Sequence, residues 1–155
     1  MQINVAQLLK SDIGSVRDFE VSGAVDITGV GAGSEVGGKV RLMRTDRGIL
    51  VAGTLNTEAE VTCSRCLAAF SCPLVLSIEE EYFPKVDVVS GARLAPPEEA
   101  GAFTISENHL LDLSEAVRQY ALLAIPMKPL CRADCAGLCP HCGRNLNQGS
   151  CGCPT

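Results

Sequence analysis

The segment ILVAGTLNTEAEVTCSRC, residues 49–66, holds the pattern that decides the fold. Ile49, Val51, Leu55, Ala59 and Val61 lie an even number of residues apart, and all but Leu50 of the residues at the opposite parity are polar or small, as in a strand that buries one face. Cys63 and Cys66 follow directly. The segment therefore predicts a β-strand that ends in a turn carrying a pair of thiols.

Similar alternating stretches lie on both sides of this strand. Asp46-Arg47-Gly48 is typical of a turn and separates it from an upstream strand. The apolar stripes of the flanking strands are Phe19, Val21, Val25 and Ile27; Val36, Val40 and Leu42; and Leu74, Leu76, Ile78 and Tyr82. Together they predict an antiparallel sheet over residues of about 19 to 83.

One helix is expected to cover this sheet. Asp112 and Glu115 have the spacing of a helix start, apolar residues follow at helical intervals, and Pro126 ends the pattern. The predicted fold is α+β, with an antiparallel β-sheet packed on one main helix, from about residue 113 to 124, and a Cys-rich zinc-knuckle C-terminal tail. We expect residues 1–130 to form the core domain, with the Cys63/Cys66 knuckle and a mobile acidic loop at about 84–102. The tail, 131–155, is expected to pack on the same domain.

The cysteine content indicates metal binding in a reducing compartment. The chain has nine cysteines in 155 residues, an odd number that excludes complete disulfide pairing. The first twenty residues lack a signal-peptide pattern, and the apolar runs are too short to cross a membrane, so we expect a cytoplasmic protein.

The net charge of −5 argues against binding nucleic acid through a broadly basic surface.

Eight cysteines form pairs that suit two structural Zn²⁺ ions with four ligands each. The predicted metal ligands are Cys63, Cys66, Cys131, Cys135, Cys139, Cys142, Cys151 and Cys153. Cys139, Cys142, Cys151 and Cys153 lie close together in the chain, so bringing them together costs the least loop-closure entropy. This favours one site made from these four and a second made from Cys63, Cys66, Cys131 and Cys135. A ribbon of Cys63, Cys66, Cys139 and Cys142 stays open as the alternative. Cys72, between a serine and a proline at a strand start, is interpreted as a small buried residue.

The two close pairs differ in the residue that follows them. Gly143 follows the Cys139-Pro140-His141-Cys142 turn, where a positive φ is easily adopted, whereas Leu67 follows Cys66. The first knuckle is therefore expected to be the less ideal of the two.

Enzyme chemistry is not expected from these thiols. The Cys-Pro-His-Cys string would need a helix behind it to act in redox catalysis, and residues 143–149 do not have a helical sequence. A zinc deaminase would need a His-x-Glu segment, which is absent, and eight ligands for eight positions imply no open site for a catalytic water. We predict no catalytic residue and no small-molecule substrate.

The order of several motifs resembles the YceD family of large-subunit ribosomal RNA accumulation proteins. The residues concerned are Gly38-x-Val40-x-Leu42-x-Arg44, Cys63-Ser64-Arg65-Cys66-Leu67, Leu111-Asp112-Leu113-Ser114-Glu115, Ile125-Pro126-Met127-Lys128-Pro129-Leu130-Cys131, and Gly137-Leu138-Cys139-Pro140-x-Cys142-Gly143-x-Asn145-Leu146-Asn147. The resemblance implies a non-enzymatic ribosome biogenesis factor needed for accumulation of large-subunit (23S) ribosomal RNA.

Two kinds of partner remain open. The protein could bind large-subunit rRNA or a ribosome assembly intermediate directly, or act as a zinc-stabilised protein-protein adaptor that binds a ribosomal protein. Arginines are the candidate contacts, because guanidinium groups pair with phosphate and stack on bases. The candidates are Arg65, Arg41, Arg44, Arg132 and Arg144. The Arg65 side chain is expected to extend freely outward from the first knuckle.

Overall fold

The computed structural model describes residues 1–154. Its strands are β1 Gln2–Asn4, β2 Val16–Val25, β3 Ser34–Arg44, β4 Ile49–Thr62, β5 Ala69–Pro84, β6 Phe103–Ile105 and β7 Leu110–Asp112. Its helices are α1 Ala6–Lys10, α2 Ser114–Ala124 and a 3₁₀ turn at Leu146–Gln148.

The main sheet has five strands in the order β2-β3-β4-β5-β6. Strands β2 to β5 form an antiparallel meander, and β6 adds parallel to β5. Strands β1 and β7 form a separate two-stranded antiparallel sheet. The predicted α+β class and antiparallel sheet are confirmed, and the predicted helix matches α2 within a residue.

The core lies between one face of the main sheet and helix α2. Alternate residues of β4, including Ile49, Val51 and Leu55, are completely buried, as are Val117 and Ala121 of the helix. This is the face that the alternating pattern predicts, since residues two apart in a strand share one side of the sheet. The Tyr120 hydroxyl donates to the Glu79 carbonyl at 3.0 Å and fixes the helix across β5.

The β4–β5 hairpin extends beyond the rest of the sheet. Pairing of β3 with β4 ends at Val36–Thr57, whereas β4 and β5 stay paired to Thr62–Ala69. The hairpin therefore forms a two-stranded arm, with the Cys63–Cys66 turn at its tip. This geometry carries the first thiol pair to the segment that follows α2.

Some short elements have no counterpart in the sequence patterns. Strands β1, β6 and β7 are each three residues long, and the acidic loop contains an isolated bridge between Val86 and Arg93. Among residues 1–154, no helix is long and apolar enough to cross a lipid bilayer.

Candidate metal centres

Four cysteines meet at the tip of the arm. We call Cys63, Cys66, Cys131 and Cys135 the sheet centre; their Sγ atoms all lie within 4.8 Å of one another. The Cys63–Cys135 and Cys66–Cys131 sulfur separations are 3.8 and 3.7 Å. Four sulfurs at about 2.3 Å from a tetrahedral ion stand about 3.8 Å apart, so this thiol group has the dimensions of a metal site.

Backbone hydrogen bonds hold the first knuckle against the segment after α2. The Cys63 amide donates to the Ala68 carbonyl at 2.9 Å, and the Leu67 amide donates to the Cys63 carbonyl at 3.0 Å. The Ser64 amide and hydroxyl both donate to the Pro129 carbonyl, each at 2.8 Å. These last two bonds fix the start of the segment that carries Cys131 and Cys135.

The other four thiols form a second group within the tail. We call Cys139, Cys142, Cys151 and Cys153 the tail centre; their Sγ atoms also lie within 4.8 Å of one another. The structure thus brings the eight predicted ligands together in the first of the two arrangements considered, not in the ribbon that joins Cys63, Cys66, Cys139 and Cys142.

The second knuckle repeats the hydrogen bonds of the first. The Cys139 amide donates to the Arg144 carbonyl at 2.8 Å, and the Gly143 amide donates to the Cys139 carbonyl at 2.9 Å. The His141 amide donates to the Cys139 sulfur at 3.4 Å. The His141 side chain is exposed and belongs to neither group of thiols.

The two centres differ in burial. Cys63, Cys66 and Cys135 of the sheet centre are buried, and Cys131 is half-buried. In the tail centre only Cys139 is buried, while Cys142 is exposed. A metal ion held at the tail centre would therefore be more accessible to solvent than one held at the sheet centre.

Backbone amides favour the thiolate form at one cysteine of each knuckle. The N–H group of Cys66 lowers the pKa of the Cys63 thiol to about 6, assisted by the amide of Cys131. The N–H group of Cys142 does the same for Cys139, whose pKa is also lowered to about 6. Burial instead raises the pKa of Cys131 to about 12. A metal ion would have to displace the proton held there.

The donor sets suit a soft or borderline cation. All nine cysteines are free thiols, and each centre offers four sulfur atoms and no oxygen ligand. Tetrahedral four-thiolate coordination is typical of zinc in structural sites. Both centres could hold a metal ion. Cys72 lies outside both centres, half-buried and packed against the main core.

Three of the candidate arginines lie beside the centres. Arg65 is exposed, but its Nη1 donates to the Cys135 carbonyl at 3.1 Å, so the expectation of a freely extended side chain is corrected. Arg132 donates to the Asn147 side-chain oxygen at 2.7 Å. Arg144 is exposed on the second knuckle.

The other two candidate arginines lie on β3 and have different environments. Arg41 forms a two-point ion pair with Asp18, at 2.7 and 3.1 Å, on the exposed face of the sheet. The half-buried Arg44 guanidinium donates to the backbone carbonyls of Leu9, Thr45 and Gly48. The five arginines therefore do not form one surface.

The sequence patterns did not single out Asn147, although it contacts a thiol. Its Nδ2 donates to the Cys135 sulfur at 3.3 Å and helps to lower the pKa of that thiol. The available signal was its place in the Asn145-Leu146-Asn147 string behind the second knuckle.

Fold and thiol geometry define an α+β protein with two four-cysteine centres at one end of its sheet. The family model for "Large ribosomal RNA subunit accumulation protein YceD" matches residues 51–155, about two thirds of the chain. The chain therefore belongs to the YceD family.

The relatives found among known proteins are uncharacterized. A Mycobacterium leprae protein is 26% identical over 115 residues, covering 74% of this chain and 50% of its own length. Proteins of Mycobacterium bovis and Mycobacterium tuberculosis are each 28% identical over 111 residues, covering 67% of this chain and 48% of their own length. The chain spans about half the length of these curated relatives. No solved structure matches it significantly.

Proposed function

We propose that this protein is a non-enzymatic cytoplasmic factor needed for accumulation of 23S ribosomal RNA, with one structural Zn²⁺ ion in each centre. Family membership supports the process. The grouping of eight thiols into two sets of four is the observation that carries the structural role of the metal. Four protein ligands complete a tetrahedron, which leaves no position for a reacting water or substrate. A reducing cytoplasm keeps such thiols available.

The charge distribution supports the metal-bearing end as the contact surface. Four exposed cations lie within three residues of the clustered cysteines along the chain, Arg65, Lys128, Arg132 and Arg144. Asp134 is the one acidic residue in the cysteine-bearing segments 63–66 and 128–153. The rest of the chain has nine of the thirteen basic residues and seventeen of the eighteen acidic ones. RNA would be repelled by most of the molecule, and the exposed cations at this end are the groups that its phosphates could bind.

The exposed cationic side chains lie outside the mostly buried sulfur atoms of the sheet centre. A zinc ion with four thiolates carries a net charge of −2, so two filled centres carry −4, which the four cations and Asp134 bring to about −1. The sulfurs of the sheet centre are mostly buried, whereas the arginine and lysine side chains lie outside. A phosphate approaching this end would meet guanidinium groups first, and arginine can bind it at two points.

A protein-protein adaptor is the second candidate. Leu123, at the end of α2, is 85% exposed, and Met127, just after the helix, is fully exposed. Leu67 is 64% exposed in the first knuckle. Apolar side chains of this size at a surface are typical of protein contacts. In this case the partner is a ribosomal protein, and the effect on 23S RNA is indirect.

Complementation of a deletion strain tests the proposal. Wild-type protein should restore the ratio of 23S to 16S RNA, and so should Arg17→Ala, a change at an exposed arginine of β2 away from the centres. Arg65→Ala, once shown to retain two zinc ions, should fail. Full complementation by Arg65→Ala would contradict a functional contact at Arg65. A normal level of 23S RNA in the deletion strain would contradict the proposed role in 23S RNA accumulation.

A salt titration separates the two candidates. Binding to purified large-subunit RNA through phosphates should weaken steeply between about 50 and 200 mM salt. An apolar contact with a ribosomal protein should change little over that range.

A further inference from the structure

Asn147 connects the two metal centres through its side-chain amide. It lies in the 3₁₀ turn at Leu146–Gln148, between the second knuckle and the last two cysteines of the tail centre. Its Nδ2 nevertheless donates to the sulfur of Cys135, a member of the sheet centre, at 3.3 Å. A residue carried by the loop of one centre thus contacts a thiol of the other.

The amide of Asn147 has its orientation fixed by further hydrogen bonds. Its Oδ1 accepts from the Ala136 amide at 2.8 Å and from Arg132 at 2.7 Å. Its Nδ2 also donates to the Asn145 Oδ1 at 2.9 Å. Both N–H bonds and both oxygen lone pairs are used, so the hydrogen pointed at sulfur is set by the surrounding structure.

The position of Asn147 depends on the folded second knuckle. Asn145 Oδ1 caps the turn by accepting from the Asn147 amide at 2.9 Å, and Asn145 itself bridges to Leu138. The Leu146 amide donates to the Gly137 carbonyl at 2.9 Å. These contacts bracket Cys139, and the tail centre closes around the same residues, so metal binding there would order the turn that presents Asn147.

We propose that Asn147 couples the two centres, so that metal binding at the tail centre raises the metal affinity of the sheet centre. The inference rests on the proposed binding of metal at both centres. An N–H group directed at a metal-bound sulfur stabilises the thiolate and fixes its orientation, and removing such a contact typically lowers metal affinity about 10- to 100-fold. Coupling between binding sites is reciprocal, so a filled sheet centre favours the tail centre equally.

Zn²⁺ titration of the full chain against a chromophoric chelator tests the coupling. A Cys142→Ser/Cys151→Ser variant disables the tail centre, and its sheet centre should bind Zn²⁺ at least about tenfold more weakly than in the wild type. Asn147→Ala should weaken the sheet centre to a similar degree. Disabling the tail centre and removing the Asn147 side chain both abolish the same contact with Cys135. The triple variant, Cys142→Ser/Cys151→Ser/Asn147→Ala, should therefore bind Zn²⁺ at its sheet centre no more weakly than the double variant, Cys142→Ser/Cys151→Ser.

Two further variants control for unfolding and for local disturbance. Asn147→Asp keeps an oxygen acceptor for Ala136 and Arg132 but turns a carboxylate oxygen toward Cys135, so it should weaken the sheet centre more than Asn147→Ala. Gln148→Ala changes the exposed neighbour in the same turn and should leave the affinity unchanged. Circular dichroism of each variant checks that the sheet is intact.

Two results would overturn the coupling: sheet-centre affinity that does not change when the tail centre is disabled, or losses in the triple variant that add. Both differ from failure of the proposed zinc binding, in which the wild type itself would take up no Zn²⁺.

Discussion

Leu67 and Gly143 occupy the same position in two knuckles with matching hydrogen bonds, and both have a left-handed backbone, with φ of 61° and 75°. Each follows the second cysteine of its pair and donates its amide to the carbonyl of the first. Glycine adopts this conformation without strain, whereas a side chain with a Cβ costs about 1–2 kcal/mol. The sheet centre therefore carries local strain that the tail centre lacks.

Exchanging the residue types at these positions should shift stability in opposite directions. Leu67→Gly should raise the free energy of unfolding by about 0.5 kcal/mol, because relief of strain exceeds the added entropy of the unfolded chain. Gly143→Ala should lower it by about 1 kcal/mol. Denaturant unfolding of zinc-loaded protein measures both. A loss of stability in Leu67→Gly would show that the exposed leucine makes a stabilising contact instead.

Cys63 and Cys72 form a matched pair for testing the sheet centre. Cys63→Ser should reduce bound zinc from about two ions to one and lower the free energy of unfolding by roughly 4 kcal/mol, because the metal and the arm tip are lost together. Cys72→Ser should retain both ions and cost about 1 kcal/mol, since this thiol lies in neither centre. Equal zinc content in the two variants would exclude Cys63 as a ligand.

Gly53 marks a close approach between β3 and β4. A Cβ at this position would overlap the Lys39 carbonyl oxygen and lie 2.7 Å from the Val40 Cα. Gly53→Ala should therefore lower the free energy of unfolding by about 3 kcal/mol. Gly37→Ala is the control, because its Cβ would meet nothing closer than the Val21 carbonyl oxygen at 3.8 Å. The thermal unfolding midpoints of the two variants should differ by roughly 6–12 °C.

The alternating patterns were sufficient to predict the main sheet because its long strands bury one face. The three-residue strands β1, β6 and β7 are too short to show a period, and tertiary contacts decide them. Residue parity also separates the β3 arginines. Arg44 continues the buried stripe of Val40 and Leu42, whereas Arg41 lies on the opposite face. Arg41 and Arg44 therefore cannot contact one partner surface together, although both lie on β3.

Spacing along the chain indicated the thiol pairs but not all that surrounds them. Short loop closure correctly favoured a tail centre made from residues 139–153. The Asn147 contact with Cys135 and the Arg65 contact with the Cys135 carbonyl join segments whose approach depends on the folded arm and tail. Periodicity cannot predict such contacts, because they depend on tertiary geometry.

Metal analysis of protein purified without chelator is the most direct test of the account. Two four-thiolate centres predict close to two zinc ions per chain, with Cys72 as the thiol left free. Removing the metal should make the other eight thiols reactive. Fewer than half a zinc ion per chain, together with nearly all nine thiols reactive before any chelator is added, would contradict the account.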